Sequence, residues 1–156
     1  KIIKERRWCG ISNRNNSKYD IKELGWNFYM NEFSAAIGIE QLKKLDKMNK
    51  KRKRIAKRYF SEINVKNKMP FEEECSYHFY WIKVNNRKKF MEQMKKNGIE
   101  TGIHYYPIHK MSFYMKKTKL PVTEEAGNQI VSLPTHPNLD TDDVDKVIKY
   151  SNRFLS

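Results

Sequence analysis

The segment His104-Tyr105-Tyr106-Pro107-Ile108-His109 holds the densest group of side chains able to do chemistry, two imidazoles and two phenols within six residues. In an extended strand His104 and Tyr106 would share one face and Tyr105 the other, with His109 beyond the proline on a different surface. A metal centre would need a third ligand from His78, His136 or Cys75. None of these stands at a recognisable ligand spacing, so no metal site is expected. Taken alone, the segment reads as two histidines satisfied by ordinary hydrogen bonds. The six glycines are scattered, with no Gly-x-Gly-x-x-Gly or Walker loop among them. There is no Gly-x-Ser-x-Gly elbow, and spacing places no histidine beside Cys9 or Cys75. The acidic run Glu72, Glu73, Glu74 reads as solvated surface. Spacing alone names no reaction.

What must position these side chains is a chain of 156 residues with 32 Lys plus Arg against 18 Asp plus Glu, a net charge of +14. Its 38% hydrophobic and 13% aromatic content is enough for one ordinary domain, or a small domain with part of another, and argues against disorder. No apolar run approaches the roughly 18 residues of a membrane span. Two cysteines cannot form a disulfide framework and suit a reducing, cytoplasmic setting. The chain opens on Lys1 without a signal-peptide core, and the expectation is that it continues a larger protein.

The charge is concentrated. Between Lys43 and Arg58 stand ten basic residues and one acid, Asp46. At 100° per residue, Leu45, Met48, Ile55, Ala56, Tyr59, Phe60 and Ile63 fall on one arc, with the lysines and arginines opposite. Only Arg52 lies within the apolar arc, where a long stem can carry its head outward. The plain reading is an amphipathic helix with a solvated basic face; a nucleic-acid site or an anionic membrane surface is the alternative.

Helical periodicity runs from about Met30 to Ile63 with Asn31 as N-cap, about 50 Å at 1.5 Å per residue, too long for a compact small domain and suited to a spine joining two bodies. Gly38 within it suggests close approach of another backbone. Residues 1–24 show no self-contained element, and Asn13 to Ser17 reads as a polar loop. Tyr77–Val84 reads as a buried strand, Asn86–Asn97 as a helix closed by Gly98, and Ile99–Tyr106 as a second strand ended by Pro107. A short helix from Pro121 to Ile130, a third strand at Val131–Leu133 and a final helix capped by Asp140 complete the order. The expected class is α+β: a long spine helix plus a small C-terminal domain with helices on one sheet face.

One stretch narrows the function. Gly25-Trp26-Asn27-Phe28-Tyr29-Met30-Asn31-Glu32-Phe33-Ser34-Ala35-Ala36-Ile37-Gly38, then Gln41-Leu42, resembles the Gly-aromatic-Asn…Met…Ala-Ala…Gln-Leu segment of the DegT/DnrJ/EryC1/StrS sugar aminotransferases. Later landmarks follow in that family's order: Tyr77-His78, Asn97-Gly98-Ile99-Glu100-Thr101-Gly102, His104-Tyr105, Pro107-Ile108-His109, Leu120-Pro121, Ser132-Leu133-Pro134 and Leu139. The resemblance runs from about Arg6 to the C-terminus.

It implies the C-terminal part of a pyridoxal-phosphate enzyme of aminotransferase fold type I, moving an amino group, typically from glutamate, onto a keto nucleotide sugar for surface-polysaccharide or amino-sugar biosynthesis. The implied assembly is a homodimer with a shared active site, in which Asn27 reaches the partner's cofactor phosphate. His104 and Tyr105 match positions on the sugar-nucleotide side, and Tyr29 stands where the family often has Arg, a neutral donor in place of a charge. The Schiff-base lysine belongs to a large domain upstream, so no catalytic residue is assigned here and the fragment alone is expected to be inactive. The implied division is 1–24 as the tail of that large domain, 25–65 as connector and spine helix, and 66–156 as the small α/β domain. Two other readings stand beside it: a nucleic-acid-binding module using the 43–58 face, and a structural subunit completing a separately encoded cofactor domain.

Overall fold

The computed structural model describes residues 2–15, 18–114 and 118–155. It is α+β, as expected, with helices α1 (Ile2–Arg7), α2 (Glu32–Glu62), α3 (Arg87–Lys96), α4 (Pro121–Gln129) and α5 (Thr141–Leu155). The strands form two antiparallel pairs, β1 (Ile11–Asn15) with β2 (Lys18–Ile21), and β3 (Tyr80–Lys83) with β4 (Ile130–Leu133). Two compact units result, Lys1–Leu45 and Asp46–Ser156, and the boundary falls inside α2. Asn31 caps α2 as expected, its Oδ1 accepting from Ser34 N at 2.8 Å.

The first unit departs from the expected absence of structure. α1 and the β1–β2 hairpin occupy it, with Ile11 opposite Ile21 and Ser12 opposite Asp20. Asn13–Asn15 are strand rather than loop; Asn16 and Ser17 lie outside the described residues. All four β2 residues are exposed; Tyr19 and Ile21 alternate with Lys18 and Asp20, but over four residues that alternation is too short to mark a strand by itself. The chain then returns alongside the end of α1. Trp26 N donates to Arg6 O, Phe28 N to Arg7 O and Cys9 N to Trp26 O, at 2.9, 2.9 and 3.1 Å.

The core belongs to the second unit, where, among the described residues, the buried hydrophobic side chains lie between Ile55 and Ile148. The register Tyr80↔Leu133 and Ile82↔Val131 puts these four on one sheet face, in one core cluster with Ile55 and Tyr59 of α2, Phe90 and Met94 of α3, and Val144, Val147 and Ile148 of α5. The buried Tyr59 and Tyr80 phenols are pushed up in pKa by desolvation, and each donates to a carbonyl, Pro134 O at 2.8 Å and Met69 O at 2.9 Å. Of the expected apolar arc, Ile55, Ala56, Tyr59 and Ile63 are buried, while Leu45 and Phe60 remain exposed. Arg58 bridges α2 and α5. It grips Glu62 with two bonds of 2.7 Å and Asp145 with a third of 2.7 Å, which lowers the Glu62 carboxyl and raises the guanidinium.

Two strand expectations are corrected. The first is shortened to Tyr80–Lys83 because Tyr77 takes a left-handed φ of 50° that a continuing strand cannot hold, with its ring buried and its hydroxyl bonded near Glu72. The second, Ile99–Tyr106, is not a strand. Gly102 alone pairs, exchanging bonds of 2.9 and 2.8 Å with Ser132, and the chain then turns away. Glycine has no side chain with which to hold a strand edge. His104 and Tyr106 therefore do not share a pleated face. The other local expectations hold: Asn86 caps α3, Gly98 follows it at φ 72°, and Asp140 and Asp143 form reciprocal caps at the start of α5.

Candidate functional site

The strand alternation that buries Val131 and Leu133 turns Ser132 to the opposite sheet face. There its hydroxyl meets His104 Nδ1 at 2.9 Å. The His104 ring stacks on Phe79, with centroids 5.5 Å apart and planes 13° apart, and folds back over Gly102. A Cβ on Gly102 would lie 2.9 Å from His104 Cε1, so this ring position needs a glycine. Ser132 and Phe79 fix the imidazole in position and plane, and Nε2 is left for a ligand.

These residues line a cleft of about 270 Å³ in the second unit, joined by His78, His136, Glu100 and Arg52. The cleft offers imidazole and hydroxyl groups, one cation and one carboxylate. That set suits a polar ligand with a flat ring and several hydroxyls. Among the described residues no group of three or more His, Cys, Asp and Glu could hold a metal ion, and no lysine lines the cleft.

Tyr105 is 69% exposed and touches both His104 and Phe79 edge-on, with centroids 4.9 and 6.5 Å away. His109 is separate from the cleft. Its Nε2 lies 3.3 Å from Glu124 Oε1, and Lys110 Nζ reaches Glu124 Oε2 at 2.5 Å. Those contacts, with the Leu120 N–H at 3.2 Å, pull the Glu124 carboxyl down to about 2, the Lys110 bond contributing most.

Asn27 and Tyr29 lie in the first unit. Asn27 forms an isolated bridge with Trp8, and its side-chain oxygen accepts from Tyr29 N at 3.4 Å. The acceptor end of the amide is thus turned onto its own backbone, and the NH₂ donors have no partner among the described residues. Tyr29 packs against Trp8, edge to face at 6.0 Å, and under the Arg7 guanidinium. Gly38 has nothing within 4 Å of its Cβ position among the described residues, so the expected close approach of another backbone is not seen there.

Residues 1–151 match the DegT/DnrJ/EryC1/StrS aminotransferase family. The chain belongs to this family. Among similar proteins, the dTDP-4-dehydro-2,3,6-trideoxy-D-glucose 4-aminotransferase of Saccharopolyspora spinosa is 32% identical over 80% of this chain and 34% of its own length. The GDP-perosamine synthase of Escherichia coli O157:H7 is 29% identical over 85% of this chain and 38% of its own. The crystal structure of Helicobacter pylori PseC, an aminotransferase involved in the biosynthesis of pseudoaminic acid, superimposes with a TM-score of 0.86 at 27% identity, covering 98% of this chain and 45% of that one. The chain spans less than half the length of the relatives it matches.

Sequence reasoning reached His104 and Tyr105 but missed Ser132 and Phe79. The signal for Ser132 was a hydroxyl inside the otherwise apolar run Ile130-Val131-Ser132-Leu133, since a polar residue in a buried strand calls for a partner. Phe79 carried no such mark.

Proposed function

We propose that this chain is the C-terminal part of a pyridoxal-phosphate-dependent aminotransferase that moves an amino group, with glutamate as donor, onto a keto carbon of a nucleotide-linked sugar. The family match over residues 1–151 carries the reading, and two relatives whose names specify dTDP and GDP sugars point to the substrate class. Residues 1–24 are read as the tail of a large cofactor domain, 25–65 as connector and spine helix, and 66–156 as the small domain.

The residues present suit the phosphate end of the cofactor. Asn27 turns its oxygen inward and leaves its NH₂ free, the polarity a phosphate oxygen requires. The lysine that bonds the cofactor is read as lying in the large domain, as the family resemblance implies. The cofactor, when bound, supplies the electron sink for the transfer. This chain's part is to orient: Asn27 donates to the cofactor phosphate of a partner protomer in a homodimer, Tyr29 offers a neutral donor beside it, and His104 presents Nε2, with Tyr105 as a neighbouring wall, to the sugar nucleotide.

Support also comes from what the first unit exposes. Phe33 is 85% exposed and Leu42 70%, and among the described residues of this unit no hydrophobic side chain is buried. An apolar surface of that kind is a surface meant to be covered. The basic helix face is in part already committed, with Lys53 to Glu73, Lys51 to Pro137 O, and Arg58 to Glu62 and Asp145, so the nucleic-acid reading gains nothing from the structure.

The test uses the whole protein and these 156 residues side by side, each with pyridoxal phosphate, glutamate and a keto sugar linked to dTDP or GDP. The whole protein is expected to release 2-oxoglutarate and an aminated sugar nucleotide, seen by mass spectrometry. The fragment alone is expected to show negligible turnover and to lose the cofactor on dialysis. No amine transfer by the whole protein to any such sugar would overturn the reading.

A further inference from the structure

Arg6 and Arg7 are consecutive on α1 and used differently. The Arg6 guanidinium is committed to Glu23, with Nε and Nη2 at 3.0 and 2.7 Å from the same carboxylate oxygen. Arg7 has no carboxylate partner among the described residues. Its Cζ lies 4.8 Å from the centre of the Tyr29 ring, and Trp8 packs edge-on against that same ring.

The backbone holds this arrangement in register. Phe28 N donates to Arg7 O at 2.9 Å, and Trp8 and Asn27 form a bridge, so the end of α1 is fastened to the segment bearing Asn27 and Tyr29. Three donors are thereby carried on one small piece of structure: the Arg7 guanidinium, the Asn27 NH₂ and the Tyr29 hydroxyl. Only the first is charged. An arginine laid on an aromatic face keeps its planar fork of N–H groups and loses less freedom on binding than a free one would. A carboxylate neighbour would cancel the charge, and Glu23, the acid at hand, is occupied by Arg6.

We infer that Arg7 is the charged element of an anion site, taking with the Asn27 amide and the Tyr29 hydroxyl a phosphate ester or carboxylate oxygen group. This rests on the aminotransferase reading, which supplies one anion of each kind: the phosphate of the cofactor and the carboxylate of the amino-acid donor.

The experiment compares Arg7→Gln and Arg7→Lys in the whole protein, with Lys4→Gln as control, because it removes an exposed charge on the same helix and leaves the Arg6–Glu23 pair intact. If the anion is the cofactor phosphate, Arg7→Gln weakens pyridoxal phosphate about tenfold and leaves phosphate-free pyridoxal unchanged; if it is the donor carboxylate, KM for glutamate rises about tenfold with cofactor retention unchanged. Arg7→Lys restores part of either loss, since it keeps the charge without the fork. Inorganic phosphate and glutarate, titrated separately with Trp fluorescence as readout, need no turnover and so keep this inference apart from the aminotransferase reading. Saturable binding of either anion that Arg7→Gln abolishes and Lys4→Gln retains supports the site even in a protein that transfers no amine. Equal behaviour of wild type and Arg7→Gln toward both anions, the cofactor and glutamate overturns it.

Discussion

Gly25 and Gly10 meet backbone to backbone: a Cβ built on Gly25 would lie 1.9 Å from the Gly10 nitrogen, and one on Gly10 would lie 2.1 Å from Glu23 O. Gly10 also holds a φ of 74°, which favours glycine on its own account. This contact brings Trp26, Asn27 and Phe28 alongside the end of α1. Gly25→Ala therefore has to separate two backbones, because no flexible side chain can yield. We expect it to cost about 1–3 kcal/mol, the range for overpacking. In the whole protein it should also weaken cofactor retention, since it displaces Asn27. Thermal melting and dialysis of the loaded protein measure the two effects. A variant that melts and retains cofactor like the wild type would show that the contact is relaxed in solution.

Two buried hydroxyls should respond to deletion with opposite signs. Tyr59 OH satisfies Pro134 O at 2.8 Å, and Tyr59→Phe leaves that carbonyl without a donor, a loss of about 1–3 kcal/mol. Ser151 Oγ is buried with no partner among the described residues. Ser151→Ala removes an unsatisfied group and should stabilise by about 1 kcal/mol or more. Urea midpoints at constant slope report both.

Glu124 gives a pH dependence. Its carboxyl is held at about 2 by Lys110, the Leu120 N–H and His109, below its ordinary 4.5. Above that ordinary value the carboxylate is charged in both folded and unfolded chains, and the stabilisation is fully present. As pH falls from about 4.5 toward about 2 the unfolded chain takes up its proton first, and the contribution is lost. The stability gap between wild type and Glu124→Gln should therefore be wide near pH 6 and narrow progressively toward about pH 2. Paired denaturant titrations across that range measure it. A gap that stays constant would contradict the depressed pKa.

His104 and Ser132 should act as one unit on the sugar substrate. Ser132→Ala removes the group that orients the imidazole at 2.9 Å, and His104→Ala removes the imidazole itself. In the whole protein each is expected to raise KM for the nucleotide sugar by up to about tenfold, the worth of one hydrogen bond, and the double variant by little more than His104→Ala alone. KM for glutamate should stay unchanged. Strictly additive effects of the two single changes would mean that Ser132 does not act through His104.

Much of the local architecture could be read from neighbouring residues. Asn31, Asn86 and Asp140 announce helix starts because the capping oxygen and its backbone partner lie within three residues of each other. Gly98 announces a helix end because only the backbone conformation at that position is at stake. Family membership was legible as well, in spaced motifs from Gly25 to Leu139, and with it the interest of Asn27, Tyr29, His104 and Tyr105.

The pairings that shape the candidate site were not legible. Ser132 sits 28 residues from His104. Phe79 reaches His104, and Arg7 reaches Tyr29, only once separate segments have closed on each other. Local propensity favoured a strand through Ile99–Tyr106, and it lost because a strand needs a partner along its whole edge and β4 offers only Ser132 to Gly102. Capping, turns and helical period are decided within a few residues, so composition and order suffice for them. Which imidazole meets which hydroxyl, and which arginine is left without a carboxylate, depends on long-range closure, and that is settled by how the whole core packs.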